Sequence, residues 1–236
     1  QVTLQARTQP TVNFSGKHST FRDVPIVLEC YRKVPPPIWY GVGLPEGARW
    51  AAENGINIVC NGPTESVRAV TDRYREHWTS SGAKGPMPRL GVSRHVVVAE
   101  TDAEAVRIAR RAYKLWRERL MHLWVKHGTK PITLAFPEEF EQAQEAGMGI
   151  AGSPETVRQW VEHEVGRTGI NYLVCRLAFG DLQYDEALQT TRLFGSHVLA
   201  TLRRPVREHD AAAAAHPLPA CVIPICKPLS KKARQP

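Results

Sequence analysis

The chain has 236 residues, of which 42% are hydrophobic and 23% charged, a composition of ordinary globular proteins and not of disordered or low-complexity chains. No apolar run approaches the ~20 residues needed to cross a bilayer, and the opening QVTLQARTQP lacks the apolar centre of a signal peptide. The net charge of +8 divides into +3 over residues 1–36, zero over 37–202 and +5 over 203–236. This argues against a nucleic-acid partner, because a basic footprint belongs on the folded domain itself.

Taken in chain order, FRDVPIVLE (21–29) has strand composition and predicts a short hairpin or lead-in, and VPPP (34–37) is a stiff connector. PIWYGV (37–42) predicts a short buried strand, followed by a helix from Pro45 to Asn54 with Gly55 at its C-terminal end. INIVCNG (56–62) is a second apolar strand, and 63–78 a helix whose Val67, Val70 and Tyr74 share one face. LGVSRHVVVAE (90–100) is rich in β-branched residues and predicts a strand; 101–128 predicts a long helix capped by Thr101 or Asp102. Residues 129–150 read as an irregular insert with a short helix. Ser153-Pro154-Glu155 is a strong helix start, and that helix ends at Gly169. INYLVCRLAFG (170–180) is a buried strand and 181–204 the last amphipathic helix. The remainder, 205–236, combines prolines, an alanine run and a basic end, and reads as a disordered tail.

Strands alternating with helices imply an α/β fold with a parallel sheet. Four main strands are legible, half of the eight units in a complete β/α barrel. The five cysteines form no C-x-x-C pair. Cys60 and Cys175 fall inside apolar strand patterns as buried free thiols, which favours a reducing cytoplasmic setting.

The turn between the first main strand and its helix, Gly41-Val42-Gly43-Leu44, invites a phosphate reading. A dinucleotide fingerprint needs G-x-G-x-x-G and an acid ending the next strand. Here Gly41 and Gly43 are followed by Gly47, and the next strand ends in Asn61, so that fingerprint is not met. A local reading remains: backbone N–H groups from Val42 to Glu46 point out of a helix start whose dipole favours an anion. The competing reading is that the glycines serve only the conformation of the turn.

Several ordered segments carry a resemblance. PPIWYGVGLPEGARWAAENGINIVCNG resembles the fifth and sixth units of the bacterial luciferase-like flavin monooxygenases. RHVVVAETDAEAVRIARRAY is similar to their seventh strand and the start of its helix, and residues 151–202 resemble their C-terminal end. FSGKHSTFRDVPIVLE is similar to the stretch before the fifth strand, so the likeness runs from about Phe14 to Arg204. It implies the C-terminal half, about four β/α units, of a TIM-type barrel, with a lead-in over 1–36 and the barrel domain over 37–204.

The resemblance also implies reduced FMN, or a deazaflavin in its place, together with O₂, a small organic substrate and a separate flavin reductase. Gly41, Val42, Gly43 and Leu44 would hold the flavin phosphate; some relatives have a hydroxyl residue where this chain has Leu44, leaving only backbone donors there. Asn61 and Gly62 would border the ring, and Arg176 and Phe179 the substrate. The histidine and arginines that relatives place around the flavin belong to the first four units and have no counterpart here, so no catalytic residue is assigned. A chain of this kind would be a fragment that dimerises or joins a partner chain. The alternative is an inactive remnant or a non-catalytic subunit.

Other candidates carry less. His122 and His127 do not share a helix face, so a metal site is not expected. Trp116, Leu120, Leu123 and Trp124 read as a core stripe, with contact to a partner or a substrate cavity as the alternative, and EEFEQAQEAG as a solvated helix face or part of a lid. Arg176, at a strand end, could grip an anion or form a surface ion pair.

Overall fold

The computed structural model describes residues 2–28, 35–83, 85–131 and 136–202. A short helix α1 (Val2–Ala6) precedes an antiparallel hairpin of β1 (Thr11–Ser15) and β2 (Thr20–Pro25). The hairpin therefore begins ten residues earlier than the strand composition at 21–29 suggested. The body follows: β3 (Trp39–Gly41), α2 (Pro45–Glu53), β4 (Asn57–Cys60), α3 (Thr64–Ser80), β5 (Leu90–Val98), α4 (Asp102–Lys126), α5 (Phe140–Glu145), β6 (Gly149–Gly152), α6 (Pro154–Thr168) and β7 (Tyr172–Arg176). The chain then runs through α7 (Tyr184–Leu193), a π-helical stretch Phe194–Leu199 and a final turn α8 (Ala200–Leu202). The expected tail, Cys30, Cys221 and Cys226 lie outside the described residues.

Strands β3 to β7 form one five-stranded parallel sheet. β5 is its spine and has three partners. Leu90–Val92 pair with β4, His95–Val98 with β6 and Gly91–His95 with β7. The backbone groups of Arg89, His95 and Ala99 point to the β4 and β6 side, while the Leu90 carbonyl accepts from Asn171 on the β7 side. So β4 and β6 follow one another along one edge of β5, and β7 takes the other.

This order decides which face each helix covers. The connections to β5 and β7 run one way across the sheet, and the connection from β5 back to β6 runs the other. Right-handed crossovers therefore put α2, α3 and α6 on one face and α4 on the opposite face. The clusters agree. Leu90 and Val92 pack with Ala48, Ala51 and Ala52 of α2 and with Val67, Val70 and Tyr74 of α3. Val96 and Val98 meet Val157 and Val161 of α6. Val97, on the other face, meets Ala105, Ile108 and Ala112 of α4 and Phe140 of α5. Every residue of β5 is buried, and each fully buried valine contributes roughly 1.5–3 kcal/mol of transfer free energy.

Local signals set the helix ends. Ser153 accepts from the Thr156 N–H with Pro154 at the first helical position, and Gly169 closes α6 in the left-handed region at φ 64°. Thr101 caps α4 in the same way.

Four expectations need correction. β3, read as a short buried strand, has all three residues exposed, because it ends the sheet and among the described residues pairs with β4 alone. β6 is a fifth strand across the end of the stretch read as an irregular insert (129–150) and the start of the helix segment after it; its sequence GIAG is too short and glycine-rich to read as a strand alone, and it forms because β5 offers it an edge. The stripe on α4 is core only at Trp116, since Leu123 is 62% exposed. The EEFEQAQEAG segment is no free-standing face, because Phe140 and Ala143 are buried against α4.

Candidate functional site

The odd-numbered face of β5 that α4 leaves uncovered is the floor of a groove of about 390 Å³, lined by Trp39, Val59, Asn61, Ser93, Tyr172 and Val174. This is the face a closed β/α barrel turns inward. Gly91 lies beneath two of the lining rings. The Trp39 and Tyr172 rings approach above it with centroids 4.9 Å apart, and a Cβ on Gly91 would come within 3.2 Å of Trp39.

At the C-terminal end of the groove sits Arg176, the last residue of β7. Its Nε donates to Ser93 Oγ at 2.9 Å, and its Nη2 to Asn61 Oδ1 at 3.3 Å and the Ser93 carbonyl at 3.4 Å. Nη1 lies 3.3 Å from His95 Nε2, and the guanidinium sits over the Trp116 ring at 5.5 Å. His95 is enclosed by Trp116, Phe179 and Tyr113, at ring distances of 4.2, 4.5 and 5.6 Å. Burial, and then the Arg176 charge, push its pKa down to about 3, so the ring is neutral and offers Arg176 a lone pair. Of the expected substrate residues, Arg176 thus bonds two residues that line the groove, Asn61 and Ser93, while Phe179 is buried and supports His95. His95 and Ser93 were missed, whereas Trp116 belongs to the α4 stripe for which cavity contact was the alternative to core packing. The signal available was Ser93-Arg94-His95, three polar residues in the middle of an apolar strand.

Arg94, on the other face of β5, is fully buried and bonds Glu164 of α6 at 2.7 Å and the Gly62 carbonyl at 2.7 Å. Glu164 also accepts from Thr64 Oγ1 at 2.8 Å. This network fixes the turn after β4, so Asn61 is held at the groove while Gly62 is buried and its carbonyl is spent on Arg94.

The Gly41–Leu44 turn lies at the start of α2. Gly41 and Gly43 have no positive φ, and a Cβ on either would meet nothing within 4 Å. The turn's conformation therefore does not require glycine, and the two positions leave open space instead. One expectation changes. The Val42 N–H is bonded to the Val59 carbonyl at 3.0 Å and Pro45 has none, so neither can serve a ligand. The N–H groups of Gly43, Leu44 and Glu46 have no backbone acceptor among the described residues. Leu44 is the N-cap and supplies no side-chain acceptor. Among the described residues no cluster of His, Cys, Asp or Glu could hold a metal ion.

Cys60 is buried and Cys175 partly so, both as free thiols, and burial raises each pKa to about 11. No helix among the described residues is long and apolar enough to cross a membrane.

Known proteins share this architecture. The luciferase-like monooxygenase family profile matches residues 1–172. The uncharacterized protein y4wF of Sinorhizobium fredii is 32% identical over 200 residues, covering 84% of this chain and 58% of that protein. The monooxygenase RslO1 of Streptomyces bottropensis superposes with a TM-score of 0.70 at 20% identity, over 84% of this chain and 58% of its own. The oxygenating constituent of 3,6-diketocamphane monooxygenase from Pseudomonas putida, solved in complex with FMN, gives 0.60 at 18%, over 87% and 62%. The coenzyme F420-dependent tetrahydromethanopterin reductase of Methanopyrus kandleri gives 0.59 at 16%, over 86% and 61%. The chain thus spans about 58% of the length of the first of these relatives. Its parallel sheet and helices form a partial TIM-type barrel, and by its profile match the chain belongs to the luciferase-like monooxygenase family.

Proposed function

We propose that the chain carries the flavin-phosphate and substrate side of a flavin-dependent monooxygenase that oxidises a small organic substrate with O₂, using reduced FMN from a separate reductase. The observation that carries this reading is the Gly41–Leu44 turn. Its two glycines are not needed for conformation, their Cβ positions are open, and the Gly43, Leu44 and Glu46 amides are unspent at a helix start. That chemistry fits a phosphate. Gly43 and Leu44 would donate their N–H groups to it, with Gly41 giving the close approach and Val42 anchoring the turn to β4. Asn61 would face the ring, and Gly62 would hold the turn in place through Arg94. Bound reduced flavin supplies the electrons that activate O₂; the residues of this chain orient it and exclude water. A deazaflavin is the competing cofactor, in keeping with the F420-dependent relative.

The test is anaerobic calorimetry of the purified chain with reduced FMN. Saturable binding weakened at least about ten-fold by Gly43→Asp is expected, because the carboxylate would enter the open space and repel the phosphate. No binding at high protein concentration would overturn the reading.

A second reading follows from the sheet edge. Among the described residues β3 pairs only with β4, and its Trp39 and Tyr40 are 36% and 42% exposed, beside the open groove. An edge of this kind calls for cover. The chain then works only against a second copy or a partner that closes the groove, or it is a non-catalytic subunit. Sedimentation is expected to show association; a stable monomer would count against it.

A further inference from the structure

We propose that Arg176 is the receptor for an anionic group on the substrate, so that the groove takes an organic acid: a terminal oxyanion on an apolar body. This rests on the reading of the groove as the substrate side.

Arg176 has no carboxylate partner among the described residues. Its contacts are the Ser93 hydroxyl and carbonyl, the Asn61 side-chain carbonyl, the neutral His95 ring and the Trp116 face. Half-buried Arg7 and Arg75 likewise bond only carbonyls, of Pro36 and Gly169, but neither touches a residue that lines the groove, and the two guanidinium groups nearest in setting are neutralised. Arg94 has Glu164 at 2.7 Å, and Arg111 has Asp181 at 3.1 Å and Glu186 at 2.5 Å. A partly buried cation held only by dipoles loses hydration without full return, and an incoming oxyanion restores the balance.

The surroundings define the rest of the ligand. All six residues lining the groove are uncharged, and two of them, Asn61 and Ser93, are the ones that grip Arg176. The other four, Trp39, Val59, Tyr172 and Val174, present an apolar wall. A volume of about 390 Å³ lies at the small end of small-molecule sites. The guanidinium is held beside the groove by Ser93 and Trp116, so its fork is oriented before a ligand arrives.

Octanoate and octanamide share shape and apolar area and differ in charge, so they are the probes. Titrated calorimetrically into the chain, octanoate is expected to bind about ten-fold or more tighter than octanamide. The ratio should fall to about one in Arg176→Met and recover in part in Arg176→Lys. The wild-type ratio alone tests the idea should a variant fail to fold. Equal binding of the two probes, or no binding of octanoate, overturns it. Octanoate binding competitive with reduced FMN would assign the guanidinium to the flavin phosphate and also overturn it; additive binding of the two supports it. Reduced FMN binding without octanoate preference sinks this inference alone. Octanoate preference without FMN binding leaves the anion site standing and sinks the flavin reading.

Discussion

His95 makes the stability of this fold sensitive to mild acid. The ring is 2% exposed, and burial lowers its pKa from 6.5 to about 3. The unfolded chain therefore takes up this proton first as pH falls. The stabilisation is whole above about pH 6.5 and is lost progressively between pH 6.5 and 3. At pH 5.5 the unfolded ring is about 90% protonated while the folded ring is still neutral, and the linkage integral comes to about 1.4 kcal/mol. Urea unfolding followed by tryptophan fluorescence at pH 8 and 5.5 reads it directly. An m-value of ~2.5 kcal/mol/M turns the loss into a midpoint shift of about 0.6 M. The same pair of melts on His95→Phe subtracts every other group titrating in that window. If wild type and variant lose the same stability between the two pH values, the buried neutral His95 is refuted.

Three further outcomes are expected. Glu46 sits in the first turn of α2, beside the proposed phosphate donors, so Glu46→Gln should tighten reduced FMN binding about two- to five-fold by calorimetry. Arg94→Met leaves Glu164 buried and unpaired and should cost about 3–5 kcal/mol in urea melts, whereas Arg94→Met with Glu164→Leu should regain much of it. Gly180 has φ 60°, and a Cβ there would run into the Ala112 carbonyl, so Gly180→Ala should cost at least ~1–3 kcal/mol by the same assay.

The alternation of strand and helix was legible because most strands are short apolar runs and two helices carry their own side-chain caps, at Thr101 and Ser153. β6 was not, because Gly149–Gly152 becomes a strand only through the edge of β5. Nor could the sequence show that the chain doubles back from β5, which is what turns the Tyr113 and Trp116 side of α4 toward His95. At the site, the Gly41–Leu44 turn was found from its glycines. That the Val42 amide belongs to the sheet depends on the register of β3 against β4. Arg176 was found as a strand-end charge, but its lack of an acidic partner is a tertiary fact. Only Ser93-Arg94-His95 hinted at it, and the hint is double-edged: Arg94 faces α6 while its two neighbours, on the other face of the strand, contact Arg176.

That split has a consequence for how the molecule reports on its own occupancy. β5 hydrogen-bonds to β4, β6 and β7 and sends side chains into all three core clusters. Its amides therefore open only when the whole unit opens. A ligand held against Ser93 as proposed would slow that opening, and hydrogen exchange in α3 and α6, on the far side of the sheet, would slow with it. Occupancy of one face would then be readable on the other without any residue there having moved.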